Sequence, residues 1–149
     1  LQSRDPAPLL LLVGDGPERK RLEDRCQDKP FVSFLGLQCG DTLKQLFASA
    51  GVFVFASRVD TLGLVNVEAM LSGVPVAVPA DACIAEFVTN GVSAEFYELG
   101  AAGLAAAIGR VLDDPLRAQR MAAEGRKAMI DRWEGAAYSH LWPLLTQTQ

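Results

Sequence analysis

Cysteine and histidine are scarce in this chain of 149 residues, which holds three cysteines, Cys26, Cys39 and Cys83, and a single histidine, His140. An odd number of cysteines without CxxC spacing argues against a disulfide framework or a zinc site, so all three read as free thiols. One histidine cannot build a histidine metal centre, and His140 reads as an ordinary side chain. Basic residues are also in deficit, 14 against 18 acidic, for a net charge of -4. With no basic stripe and no interleaving of basic and aromatic residues, nucleic acid is not an expected partner. Long apolar runs are missing as well. Stretches such as Leu9 to Val13 fall far short of the roughly 20 residues that cross a bilayer, and no signal-peptide arrangement opens the chain. A soluble, cytoplasmic protein without a transmembrane segment is expected.

What the chain does have is a repeated pattern of short apolar run, glycine-bearing loop and helix. Leu9 to Val13 ends at Gly14-Asp15-Gly16-Pro17, with a helix predicted from Glu18 to Asp28 and Pro17 at its first position. Phe31 to Leu35, the loop 36–40 and a helix capped by Asp41 follow. Then come Val52 to Phe55 with a helix from Leu64 to Ser72, Val74 to Val78 with a helix from Ile84 to Val88, and a short strand at Ala94 to Tyr97. Beyond Gly100 the chain turns to Ala-rich helix, first to about Leu112 and again after Asp114-Pro115, where the aspartate caps and the proline starts the helix. A last helix is predicted from Asp131 to Leu145, its stripe of Trp133, Tyr138, Leu141 and Trp142 reading as core packing. Strands alternating with helices predict an α/β fold, a Rossmann-like doubly wound parallel sheet covered on both faces, in a single domain.

In such sheets ligands bind at the carboxyl ends of the strands, so the loops at 14–17, 36–40, 56–63 and 79–83 are expected to share one edge. The Gly14-Asp15-Gly16 turn tempts a dinucleotide reading, but the third glycine of that motif would fall at Arg19, and the pattern fails. The segment 57–76 carries more. It sets Asp60 and Glu68 on either side of Gly63, at a strand-to-helix junction. The first turn of the helix has NH groups without intrahelical partners and the positive end of the dipole, so Gly63, Leu64 and Val65 can donate to an anion. Glu68 sits one turn further on. Alone, Glu68 would read as a solvated carboxylate complementing a helix N-terminus, and Asp60 as a residue capping its loop.

With Leu12 to Arg19, Val32 to Gly36, Val52 to Arg58, Glu68-Ala69-Met70 and Ser72 to Val76 in order and at this spacing, the chain resembles the C-terminal, nucleotide-sugar-binding domain of GT-B glycosyltransferases, in particular the large retaining family four. The resemblance runs almost end to end. It implies that residues 1–149 form a donor-binding domain, an excerpt lacking its first strand-helix unit and an acceptor domain. It further implies a glycosyltransferase of hexosyltransferase type. A sugar would pass from a nucleoside diphosphate to a glycan, lipid or small-molecule acceptor hydroxyl with retention at the anomeric carbon, and no metal or other cofactor is called for. Such a protein would be cytoplasmic, or peripheral at the membrane in its full-length form.

The family's paired glutamates fall on Asp60 and Glu68. By resemblance Glu68 accepts hydrogen bonds from the ribose hydroxyls, and Asp60 takes the catalytic place, positioning the donor sugar with a side chain one methylene shorter. The base is implied to stack near Leu37, Gln38 and Cys39. In the loop after the next strand, Ala82 and Cys83 stand where relatives carry a Gly-Gly pair, so Cys83 joins the donor-binding positions with a side chain where backbone alone is usual. Glycines permit positive φ and close approach to a ligand, which Ala82 and Cys83 are expected to resist. The basic residues that meet the diphosphate in relatives are not in this sequence, and Arg58 reads as an exposed loop residue. These departures keep a second reading open, a degenerate, non-catalytic nucleotide-sugar-binding or scaffolding lobe. A hydrolase using Asp60 and Glu68 as acid and base, and a sugar epimerase, are weaker alternatives.

Overall fold

The computed structural model describes residues 7–57 and 63–134. Strands and helices alternate along them: β1 (Leu10–Val13), α1 (Arg19–Arg25), β2 (Val32–Gly36), α2 (Gly40–Ser49), β3 (Phe53–Val54), α3 (Leu64–Leu71), β4 (Val76–Pro79), a 3-10 turn (Cys83–Phe87), β5 (Glu95–Tyr97), α4 (Ala101–Leu112) and α5 (Pro115–Glu134). All strand pairs are parallel, as the alternation of elements predicts. The chain divides into two compact units, Leu1–Leu43 and Lys44–Gln149, and α2 runs through the boundary.

In the first unit β1 pairs with β2 from Leu10 opposite Val32, with a shift in register between Leu12 and Val13. Leu10, Leu11 and Val13 stay more than 40% exposed, and α1 buries no residue. Helix α1 is shorter than predicted. Pro17 lies in the turn before it rather than at its first position, Glu18 is the N-cap, and the helix stops at Arg25. Arg19 bonds Glu23 at 2.8 Å and Asp15 at 3.4 Å, tying the helix start to the Gly14-Asp15-Gly16 turn.

The second unit holds the core. Its sheet runs β3-β4-β5 in chain order, so the described strands form two hydrogen-bonded groups rather than one continuous sheet. The central strand β4 is buried along its whole length, as a near-continuous apolar run flanked on both edges should be. Ala77, Tyr97 and Ala107 cluster with Val52, Val54 and Leu104, while Val111, Ala118 and Met121 close against Val52. Phe47 of α2 meets Phe53 edge to face at 5.4 Å.

Asp114 caps α5 as predicted, its Oδ1 accepting the Arg117 amide at 2.9 Å with Pro115 at the first position. Helix α5 then continues through Asp131 to Glu134, so no new helix begins at Asp131. Arg126-Lys127-Ala128-Met129-Ile130 carry the helix up to the aspartate with no breaker directly before it. The Tyr138, Leu141 and Trp142 positions of the predicted stripe, and His140, lie outside the described residues.

Candidate functional site

The carboxyl end of β3 leads through Phe55 and Ser57 towards Gly63, where α3 begins. Gly63 is the N-cap, buried and left-handed at φ 64°, ψ 53°. A side chain is excluded there twice: the conformation disfavours it, and a Cβ would collide with the Nδ2 of Asn66. The Gly63 carbonyl accepts the Asn66 amide at 2.7 Å, closing the first turn. The amides of Leu64 and Val65 find no acceptor among the described residues, and they stand at the positive end of an eight-residue helix. Leu64 is itself 53% exposed.

Glu68 lies one turn beyond Leu64 on the same helix face and is exposed, yet surrounding protein removes enough water from its carboxyl to raise its pKa. Its carboxylate accepts no hydrogen bond from a described side chain, the Ser72 hydroxyl donating instead to the main-chain carbonyl at 2.8 Å. A ligand bringing hydroxyl donors would supply what water now provides only in part. Asp60 and Arg58 fall outside the described residues.

The loop after β4 closes the site from the other side. Ala82 is buried and extended (φ -75°, ψ 147°), and the exposed Cys83 opens the 3-10 turn Cys83–Phe87, where an α-helix over Ile84 to Val88 was predicted. No non-glycine residue among those described has positive φ, so the loop accommodates Ala82 and Cys83 without the backbone that a Gly-Gly pair permits. Tyr97, at the end of β5, donates its hydroxyl to the Phe55 carbonyl at 2.7 Å, reaching across β4 to fix the start of the 56–63 loop. Its pKa is raised, first by burial and then by Asp81.

Gly63 and Cys83 therefore meet in one small pocket, which Phe55, Ser57, Asn66, Ala82 and Ile84 complete. Leu64, Val65 and Glu68 stand at the adjoining helix start. Leu37 and Cys39 belong to the first unit, at the carboxyl end of β2. Both are exposed, Leu37 at 80%, and Gln38 between them donates to the Leu35 carbonyl at 2.6 Å. Sequence reasoning missed Asn66 and Tyr97. The signal for Asn66 was a lone amide inside Leu64-Val65-Asn66-Val67, at a position whose neighbours are core. Tyr97 offered no local signal, since its partner lies 42 residues away.

No helix of the described residues is long and apolar enough to cross a membrane. Residues 1–128 match the family described as "Glycosyl transferases group 1". The chain is 37% identical over 109 residues to an uncharacterized glycosyltransferase of Methanocaldococcus jannaschii, an alignment covering 70% of this chain and 28% of that protein. It is 31% identical over 131 residues to the GDP-mannose-dependent alpha-mannosyltransferase of Corynebacterium glutamicum, covering 84% of this chain and 30% of the relative. The chain thus spans under a third of the length of these relatives. Among solved structures, Anabaena HepE in complex with UDP and glucose superimposes with a TM-score of 0.75 at 27% identity, over 83% of this chain and 36% of HepE. The open helix start, the alternating parallel architecture and these likenesses converge: the chain belongs to the group 1 glycosyl transferases and has the α/β fold of the GT-B glycosyltransferases.

Proposed function

We propose that this chain is the donor-binding part of a retaining glycosyltransferase, holding a nucleoside-diphosphate sugar while its glycosyl group passes to an acceptor hydroxyl. The observation that carries this is the head of α3. Gly63 turns the chain so that the Leu64 and Val65 amides stand open, with a partly desolvated carboxylate one turn along. Breaking the bond from sugar to diphosphate builds negative charge on the leaving oxygen, and fixed amide dipoles stabilise that charge without reorganising. Glu68 takes the ribose hydroxyls, because an ionised carboxylate only accepts. Leu37 and Cys39 flank the base, Cys83 lines the donor pocket, and Asp60 positions the sugar at the reacting carbon. The relatives support the donor class: one uses GDP-mannose, and HepE was crystallised with UDP and glucose.

Calorimetric titration with UDP, GDP and ADP, each beside a sugar conjugate, tests this directly. Heat from one base series that disappears in Glu68→Ala supports nucleotide recognition at the α3 start. A folded chain silent towards all of them at millimolar concentration sinks it and favours a degenerate lobe.

A further inference from the structure

Asn66 is the third residue of α3 and fully buried, and neither its Oδ1 nor its Nδ2 has a hydrogen-bond partner among the described residues. Buried amides are normally paired, since leaving donor and acceptor both unmet forfeits what water gave them in the unfolded chain. The orphaned group is not in the remote core. It faces the small pocket formed by Phe55, Ser57, Gly63, Ala82, Cys83 and Ile84, between the ends of β3 and β4 and the helix start. Gly63 gives up a side chain in the very space that the Asn66 amide occupies. The pocket has no room for a water molecule as it stands, so solvent does not satisfy the amide. Two of its walls, Ser57 and Cys83, are solvent-exposed.

We propose that Asn66 is a further contact residue of the donor site, its amide completing its hydrogen bonds on a hydroxyl of the transferred sugar. This rests on the donor-binding role proposed above. The chemistry excludes the diphosphate, and with the ribose hydroxyls and the base already assigned above to Glu68 and to Leu37 and Cys39, the transferred sugar is left. A carboxamide offers one acceptor and two donor hydrogens, and a hydroxyl both gives and takes a hydrogen bond, so the two match. A diphosphate only accepts and would leave Oδ1 unpaired, and the open amides of Leu64 and Val65 already suit it. Entry of the hydroxyl requires a small outward shift of the Cys83 wall or of the amide itself.

The test compares Asn66→Ala with the unchanged chain, using UDP against UDP-glucose and GDP against GDP-mannose as probes. In the pair that the unchanged chain binds, the substitution weakens the sugar conjugate about tenfold, the loss of one good hydrogen bond, and changes the plain diphosphate less than about twofold. The thermal midpoint without ligand stays within about 4 °C, because the amide has no partner to lose in the resting protein. Asn66→Ser, which keeps one hydroxyl, falls between, and carries the comparison if the alanine variant does not fold. Equal weakening of both ligands, or of neither, overturns the role of Asn66 while leaving the donor site standing. A large fall in thermal midpoint overturns it too, by showing the amide paired at rest. If the unchanged chain binds no probe at all, the donor-site reading fails and Asn66 with it.

Discussion

Glu68 is the residue at which folding and function pull apart. Its pKa is raised by desolvation, so the protonated form is the one the folded chain favours. The stability this group contributes is present at low pH and lost as pH rises through the raised value, leaving the ionised carboxylate a small liability near neutrality. The binding role proposed for Glu68 needs the opposite form. Glu68→Gln is therefore expected to keep or slightly raise the thermal midpoint at about pH 7, an advantage that vanishes by about pH 4, while weakening nucleotide affinity roughly tenfold or more through loss of a charged acceptor. In the unchanged chain, affinity should begin to fall on acidification at a higher pH than an ordinary glutamate would give. Calorimetry and thermal melts along one pH series check both, and a variant that is less stable at neutrality without losing affinity refutes this account. The position of Glu68 one turn beyond Gly63 was legible from helical geometry, whereas the role proposed for it came from the resemblance alone. Asn66 was not legible, because a polar letter in an apolar helix does not reveal whether it has found a partner.

Among the elements, α5 shows how closely backbone approaches backbone around the core. Its Gly125 lies against Ser93, and a Cβ there would sit 2.7 Å from the Ser93 carbonyl oxygen and 3.6 Å from Cγ of Met70. In an exposed helix, Gly→Ala gains about 1 kcal/mol from propensity alone. Here the carbonyl is main chain and cannot step aside cheaply, so Gly125→Ala is expected to cost about 1–2 kcal/mol net and to lower the thermal midpoint by several degrees. A rise in the melt would show that α5 can slide. The identity and order of the elements were readable from apolar runs and glycine punctuation. Their lengths were less so. Pro17 signalled a helix start two residues early, and Asp131 was taken for a boundary although Arg126 to Ile130, directly before it, hold no glycine or proline. The short turn over Cys83–Phe87 escaped because five residues cannot distinguish one helical hydrogen-bond pattern from another.

For the molecule as a whole, the second unit is fastened by a charge cluster that no periodicity announced. Glu95 of β5 is 3% exposed, and its two oxygens accept from Arg110 of α4 and, at 2.6 Å, from Arg117 of α5. One carboxylate thus joins a strand to two helices. Removing it leaves Arg117 without its partner at a partly buried seam, while the half-exposed Arg110 keeps the Phe96 carbonyl at 3.2 Å, and Glu95→Ala is expected to cost about 2 kcal/mol, with Glu95→Gln milder. Chemical denaturation of both variants measures this; a loss below about 1 kcal/mol would place the cluster with ordinary surface pairs. Such a triad could not be read from the sequence, since its members are 15 and 22 residues from Glu95 and meet only once the helices have packed.

The order β3-β4-β5 has a further consequence, for how the chain comes to be folded. Each new strand joins the one made just before it, so this sheet can grow in the direction of synthesis without waiting for a distant partner. The head of α3 is then made early, but the Phe55 carbonyl is tied only when Tyr97 arrives 42 residues later. A nascent chain would carry the proposed donor cradle in outline before it could hold it still, and on that proposal the arrival of β5 would be the moment at which recognition becomes possible.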